Sequence, residues 1–278
     1  MDIREKFVRD LYLGVLKRTG EDSGVYDAVA ALGETPSFQE AADILNAFLN
    51  SSEAREARLW HRERAAQQDP VKSVASIGTH CLTSFTLKKI GLKKKSGPFD
   101  WVFSSIPMVT HCIEDDFTTF LDKRHFQPVP ANARSSEDVN LCDHAFYRDR
   151  FGVAHVFNHY DISVGHVYDY YVRCVDRFRT ALRSNHRNLL IGVAPETVVD
   201  DEFSKLCDAL KPFHSSELVL TRAKKSDVTK FGAELVAEIG RHKLFDLYFT
   251  GTLEPLSFGE SADEAMFRRI IDAYSFEL

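Results

Sequence analysis

The chain lacks most of the features that declare a function at first reading. No apolar stretch approaches the roughly 18 uninterrupted residues that a membrane-spanning helix needs. The first residues, Met1 to Asp10, alternate charged and apolar side chains without the apolar core of a signal peptide. Cysteine is sparse, with five residues in dispersed positions. An odd, scattered set excludes a disulfide framework and leads us to expect reduced thiols in a cytoplasmic protein. No Gly-x-Gly-x-x-Gly or Walker-type run is present, so the familiar phosphate loops are missing. Positive charge is in deficit: the net charge of −6 argues against broad nucleic-acid binding, which draws on a basic surface. His80-Cys81, His111-Cys112 and Cys142-Asp143-His144 contain ligand-type side chains but no paired zinc-ligand spacing.

What is present is an ordinary globular composition, 44% hydrophobic and 27% charged over 278 residues, enough for one large domain or two smaller ones. Two textures divide it. From Ile3 to about Ala66 the pattern is helical: Ile3, Phe7, Leu11 and Val15 recur every four residues. The stretch 19–24 breaks that helix, Val25 to Leu32 starts another, and Ser37 with Glu40 forms a capping-box signature ahead of Ala41, Ile44, Leu45, Phe48 and Leu49. From Val71 onward, expected strands at 71–77, 153–159, 188–194, 217–222 and 244–250 alternate with expected helices at 168–183, 200–210 and 228–240. Such alternation implies crossover connections and a mostly parallel sheet flanked by helices. The expected architecture is therefore α/β, with a small all-α domain over 1–68, a linker near Gln67 to Pro70, and an α/β domain over 71–278. Residues 122–150, with Pro128 and Pro130, read as an irregular excursion.

The segment Ser76-Ile77-Gly78-Thr79-His80-Cys81 carries the most chemistry. Read as strand, tight turn and helix, it delivers Cys81 to a helix N-terminus. There, free backbone N–H groups and the helix dipole favour a thiolate and lower its pKa. The second polar cluster is Asn158-His159-Tyr160-Asp161. As a strand it would place His155, Phe157, His159 and Asp161 on one face. Histidine is the usual base for a cysteine nucleophile, and a carboxylate commonly fixes its tautomer. Asp161 or Asp100 could fill that role, Asp100 being held with Trp101 after the Gly97-Pro98 turn. Arg173 and Arg177 are four apart on an expected helix, either an ion-pair face or an anchor for an anionic substrate end. The lysines 88, 89, 93, 94 and 95 read as a solvated helix end or an anion funnel. His159-x-Asp161 also has the form of a mononuclear iron motif, but the α/β texture does not suit its usual β-barrel host. No metal or other cofactor is expected.

Two resemblances follow from these segments. The first covers about sixty residues, through 7–18 and 48–53, and resembles small helical domains of the phycobilisome-linker type. It implies an interaction module for a protein partner. The second rests on 76–81, 87–92, 96–104, 157–161 and 173–179. These pieces together are similar to a bacterial family of papain-like cysteine peptidases, over about 74–194. In this chain Tyr160 separates His159 from Asp161, where the family often has His-His-Asp or His-Asp.

The resulting expectation is a cysteine-dependent hydrolase or acyltransferase acting on a peptide, amide, ester or glycan-linked substrate. Cys81 would be the nucleophile, His159 the base and Asp100 or Asp161 the orienter. Gly78, His80, Trp101, Asn158, Arg173 and Arg177 would contact substrate. Two alternatives belong to other classes. Gly78 could cradle a phosphate in a nucleotide-sugar-dependent transferase of surface-polysaccharide synthesis, with Cys81 structural, or the fold could be a non-catalytic binding module.

Overall fold

The computed structural model describes residues 2–16, 20–57, 69–134, 140–226, 232–254 and 256–278. Two compact units emerge. One is drawn from 1–70, 223–236 and 245–277, the other from 71–222 and 237–244.

In the first unit, α1 (Ile3–Leu11) is capped by Asp2, whose carboxylate accepts the Arg4 N–H at 2.9 Å, and it buries Phe7, Val8 and Leu11. A π-helical turn, Tyr12–Leu16, follows. Helix α2 (Asp22–Ala30) begins inside the expected breaker, because Gly24 gives room to the Tyr12 hydroxyl where a Cβ would collide. Helix α3 (Phe38–Asn50) starts at the expected capping box. Ser37 Oγ accepts from Glu40 N, and Glu40 Oε2 accepts from Ser37 N at 2.7 Å. Its buried Ala41, Ala42, Leu45 and Leu49 form one face. The expected linker residues Gln67 and Gln68 lie outside the described residues.

In the second unit, β1 (Ser73–Ser76) pairs in parallel with the later strand β4 (Asn188–Pro195), Ser76 opposite Ile191. Strand β4 is buried along all but its last residue, the continuous apolar run expected of a parallel strand covered on both faces. Between these strands come α4 (Cys81–Lys89), α5 (Ile106–Glu114), β2 (Phe126–Pro128), β3 (Cys142–His144), α6 (Ala145–Phe151) and α7 (Gly165–Arg183). In chain order α8 (Asp200–Leu210), β5 (Ser216–Lys225), β6 (Gly232–Ile239), β7 (His242–Phe249) and α9 (Ser261–Ile271) follow, of which α9 belongs to the first unit and β5, β6 and β7 each carry residues of both. The main sheet has the order β1-β4-β5-β7-β6, and β2 and β3 form a separate antiparallel pair. The mixed, mostly parallel α/β architecture expected from the alternation is the one observed.

Three local expectations are corrected. Residues 153–159 are not a strand: Phe157 makes only an isolated bridge to Cys142. His155 sits at φ 51°, with its N–H bound by the Asp143 carboxylate, which breaks the extended path. The expected helix 228–240 is instead strand β6 as far as it is described, turning at Gly240 (φ 61°) into β7. Its solvated side chains include Leu235, Val236 and Ile239, so its apolar positions mimic helical spacing. Finally, 122–150 is not wholly irregular, since Phe126–Pro128 pairs with Cys142–His144 ahead of α6. Among the described residues no helix is long and apolar enough to cross a membrane.

Candidate active site

The site is built at the carboxyl end of β1. Beyond Ser76 the ladder continues through Ile77 N to Ile191 O (2.8 Å) and Thr79 N to Val193 O (3.2 Å). The chain then turns at Gly78 into α4. A Cβ on Gly78 would collide with Thr83 Oγ1, and that oxygen accepts the Val193 N–H at 2.9 Å. The Gly78 turn is therefore packed by Thr83. His80 is the N-cap residue but supplies no side-chain cap, so the first-turn N–H groups of α4 gain no side-chain acceptor from it. Its imidazole is partly buried, burial pushes its pKa down, and Nδ1 has no hydrogen-bond partner among the described residues.

Cys81 is the first residue of α4 and is 3% exposed. Its Sγ lies 3.2 Å from Nε2 of His159, a residue 78 positions later in the chain. Asn158, beside that histidine, hydrogen-bonds the thiol and pulls its pKa down, as does the backbone N–H of Cys81 itself. Burial outweighs both and pushes the thiol up. The expected lowering by the helix N-terminus is therefore reversed by desolvation, which penalises the charged thiolate. Burial also pushes the His159 imidazole down. The thiol is buried and the histidine is exposed, and the two shifts together favour thiol and neutral imidazole.

The two expected orienting carboxylates lie elsewhere. Asp161 accepts from Ser163 N and Oγ at 2.9 and 2.6 Å. Asp100 accepts Gly97 N at 2.6 Å and pairs with Lys93 Nζ at 2.7 Å, both side chains being buried. Among the described residues no carboxylate contacts the His159 ring. Its neighbour is Trp101, edge-on at 6.1 Å between centroids and 85° between planes. Lys93 Nζ stands 5.2 Å from the centroid of the same indole. Lys93 thus joins Asp100 and Trp101 behind the histidine, a role its place in a lysine run concealed. Only its spacing from the Gly-Pro turn could have hinted at it.

The arginines separate. Arg177 donates twice to Ser96 O (3.1 and 3.0 Å) and contacts Cys174 Sγ, tying α7 to the loop that carries Asp100 and Trp101. Arg173 instead lines a cavity of about 420 Å³ with Trp101, Tyr160, His166, Val167 and Tyr170. His155, the other histidine of the second cluster, faces Asp143 and not the thiol, its Nδ1 lying 3.2 Å from the carboxylate. No group of three or more His, Cys, Asp or Glu side chains able to hold a metal occurs among the described residues.

An uncharacterized protein, R408, of Acanthamoeba polyphaga mimivirus is 46% identical over 46 residues, spanning 16% of this chain and 21% of the viral protein. The chain thus matches only about a fifth of that relative's length. No solved structure gives a significant match. A family described as "Putative papain-like cysteine peptidase", itself of unknown function, matches residues 72–211, the span that carries Cys81, Asp100, His159 and Arg173. On that match, over half of its length, the chain belongs to this family.

Proposed function

We propose that the chain is a cysteine-dependent hydrolase or acyltransferase acting on a peptide, amide or ester. The supporting observation is the 3.2 Å approach of Cys81 Sγ to His159 Nε2 at a helix N-terminus. A base within hydrogen-bond reach is the geometric requirement for activating a thiol. Because burial favours the neutral forms of both groups, proton transfer from Sγ to Nε2 accompanies attack on the carbonyl carbon. The new S–C bond leaves an oxyanion, for which the first-turn N–H groups of α4 and the Asn158 amide are the proposed donors. Collapse of that intermediate expels the leaving group with the proton from His159, giving a thioester. Water or an acceptor alcohol or amine, deprotonated by the same imidazole, then releases the acyl group. Trp101 holds the ring edge-on in place of a carboxylate, and the buried Lys93–Asp100 pair supports Trp101 from behind. The transferase alternative has no comparable support, because the Gly78 turn is packed by Thr83.

Brief incubation with p-nitrophenyl acetate, followed by intact-mass measurement and peptide mapping, tests the reading. An acetyl adduct should form on Cys81 and fail to form in His159→Ala. Adducts on Cys112, Cys142, Cys174 or Cys207 in preference to Cys81 would overturn it.

A further inference from the structure

The cavity of about 420 Å³ falls within the range of roughly 300–1,000 Å³ common for small-ligand sites. Two of its walls belong to the neighbours of the base. Trp101 packs on the His159 ring at 6.1 Å, and Tyr160 follows His159 in sequence with its ring centroid 6.4 Å away. A group held here therefore lies beside any carbonyl presented to Cys81. Trp101, Tyr160, Tyr170 and Val167 make the lining flat and apolar. Its polar side is cationic: among the described residues the exposed Arg173 guanidinium has no ion pair and no carboxylate lines the cavity. His166, Val167, Tyr170 and Arg173 fall at helical spacing along one flank of α7, so the cavity runs beside that helix from its first turn. Arg173 stands two turns further along the helix. A bidentate guanidinium recognises a planar carboxylate well.

We propose that this cavity is the specificity subsite and that it takes a terminal aromatic or aliphatic amino-acid residue bearing a free α-carboxylate. The ring or alkyl group would lie among Trp101, Tyr160 and Tyr170, and the carboxylate on Arg173. The substrate class is then a short peptide or N-acyl amino acid cleaved next to its free carboxyl end. This rests on the Cys81–His159 reading, since it is that pair which makes the neighbouring cavity a substrate site.

The binding test is independent of the thiol. In Cys81→Ala, calorimetric titration compares N-acetylphenylalanine with N-acetylphenylalaninamide, which share the ring and differ in the charge. The acid should bind at least about tenfold more tightly than the amide, and adding Arg173→Gln should remove the difference while the melting temperature holds. Equal binding of the two probes, binding of neither, or a preference that survives Arg173→Gln would overturn the proposal. Acid-selective binding together with no acyl adduct on Cys81 would instead overturn the hydrolase reading, so the two failures are told apart.

Discussion

Two regions of the same unit use the same residue types to opposite ends. Around Cys81 a thiol meets a histidine, with tyrosine and tryptophan rings alongside. Around Cys112 a thiol meets Tyr147 at 3.1 Å, with the His144 ring 4.3 Å from the tyrosine and His111 at 5.8 Å. Cys112 lies within α5, fully buried, and burial drives its pKa far above the ordinary thiol value. His144 spends both ring nitrogens on the backbone: Nε2–H donates to Thr119 O at 3.0 Å, and Nδ1 accepts from Tyr147 N. His159 keeps an exposed ring and turns Nε2 to sulfur. Residue type does not separate these regions. Position along the helix, access to solvent and the partner of each ring nitrogen do.

The sharpest way to break the comparison is to remove the Cys81–His159 pair. Cys81→Ala and His159→Ala should each lower turnover by about three orders of magnitude or more, roughly 4 kcal/mol of transition-state stabilisation. The double variant should be little worse than either, since the two groups act in one step. Thermal melting should shift modestly. Additive losses would mean that thiol and imidazole serve separate steps.

The inert region should answer in stability and not in chemistry. Tyr147 is fully buried against Phe120, Phe146 and Phe151. Tyr147→Ala should cost about 3–5 kcal/mol in urea unfolding, the usual range for emptying a buried aromatic site. Acylation of Cys81 in the fraction that remains folded should persist. A stable Tyr147→Ala protein that had lost only acylation would erase the distinction drawn between the regions.

The two regions also differ in pH response. Burial holds His144 down at about 4, from an ordinary value of 6.5. The unfolded chain therefore binds more protons between those values, so stability is full above about pH 6.5 and is lost as pH falls through about 4. The lost contribution is on the order of 3 kcal/mol for this buried ring. Unfolding free energies measured from pH 7 to 4 should show this slope, and His144→Gln should flatten it. An unchanged slope would assign the acid sensitivity to other groups.

Much of this was legible in the sequence, for identifiable reasons. The capping box at Ser37 and Glu40 is a local motif. The runs at 188–195 and 200–210 carry an unmixed strand pattern and an unmixed helix pattern. Cys81 at a helix start follows from a glycine between an apolar run and an amphipathic one. What stayed hidden depended on distant partners. Residues 153–159 alternate like a strand, yet Asp143 captures the His155 N–H and bends the chain. Lys93 sits in a lysine run that reads as solvated, yet Asp100 draws it into the interior. A carboxylate commonly orients a catalytic histidine, which is why the sequence points to the aspartates, whereas an indole edge neighbours the His159 ring.

The smallest expected effect sharpens the comparison most finely, because it concerns what keeps Cys81 from behaving like Cys112. Burial pushes both thiols up, and it pushes Cys142 and Cys207 up as well, those two to about 12. At Cys81 the opposing influences are the Asn158 hydrogen bond and the helix-start N–H. Asn158→Leu removes the first while keeping the second and a similar side-chain volume. Sulfur is a weak acceptor, so the loss should be about 1 kcal/mol, or roughly fivefold in thiolate population at neutral pH. Iodoacetamide labelling of Cys81 should slow by that factor at pH 7, and its pH–rate profile should move to higher pH by under one unit. At pH values well above the thiol pKa the two proteins should label alike, because the thiolate is then fully formed in both. An unmoved profile would show that Asn158 does not stabilise the thiolate, leaving the helix N-terminus as the remaining difference between the two cysteines.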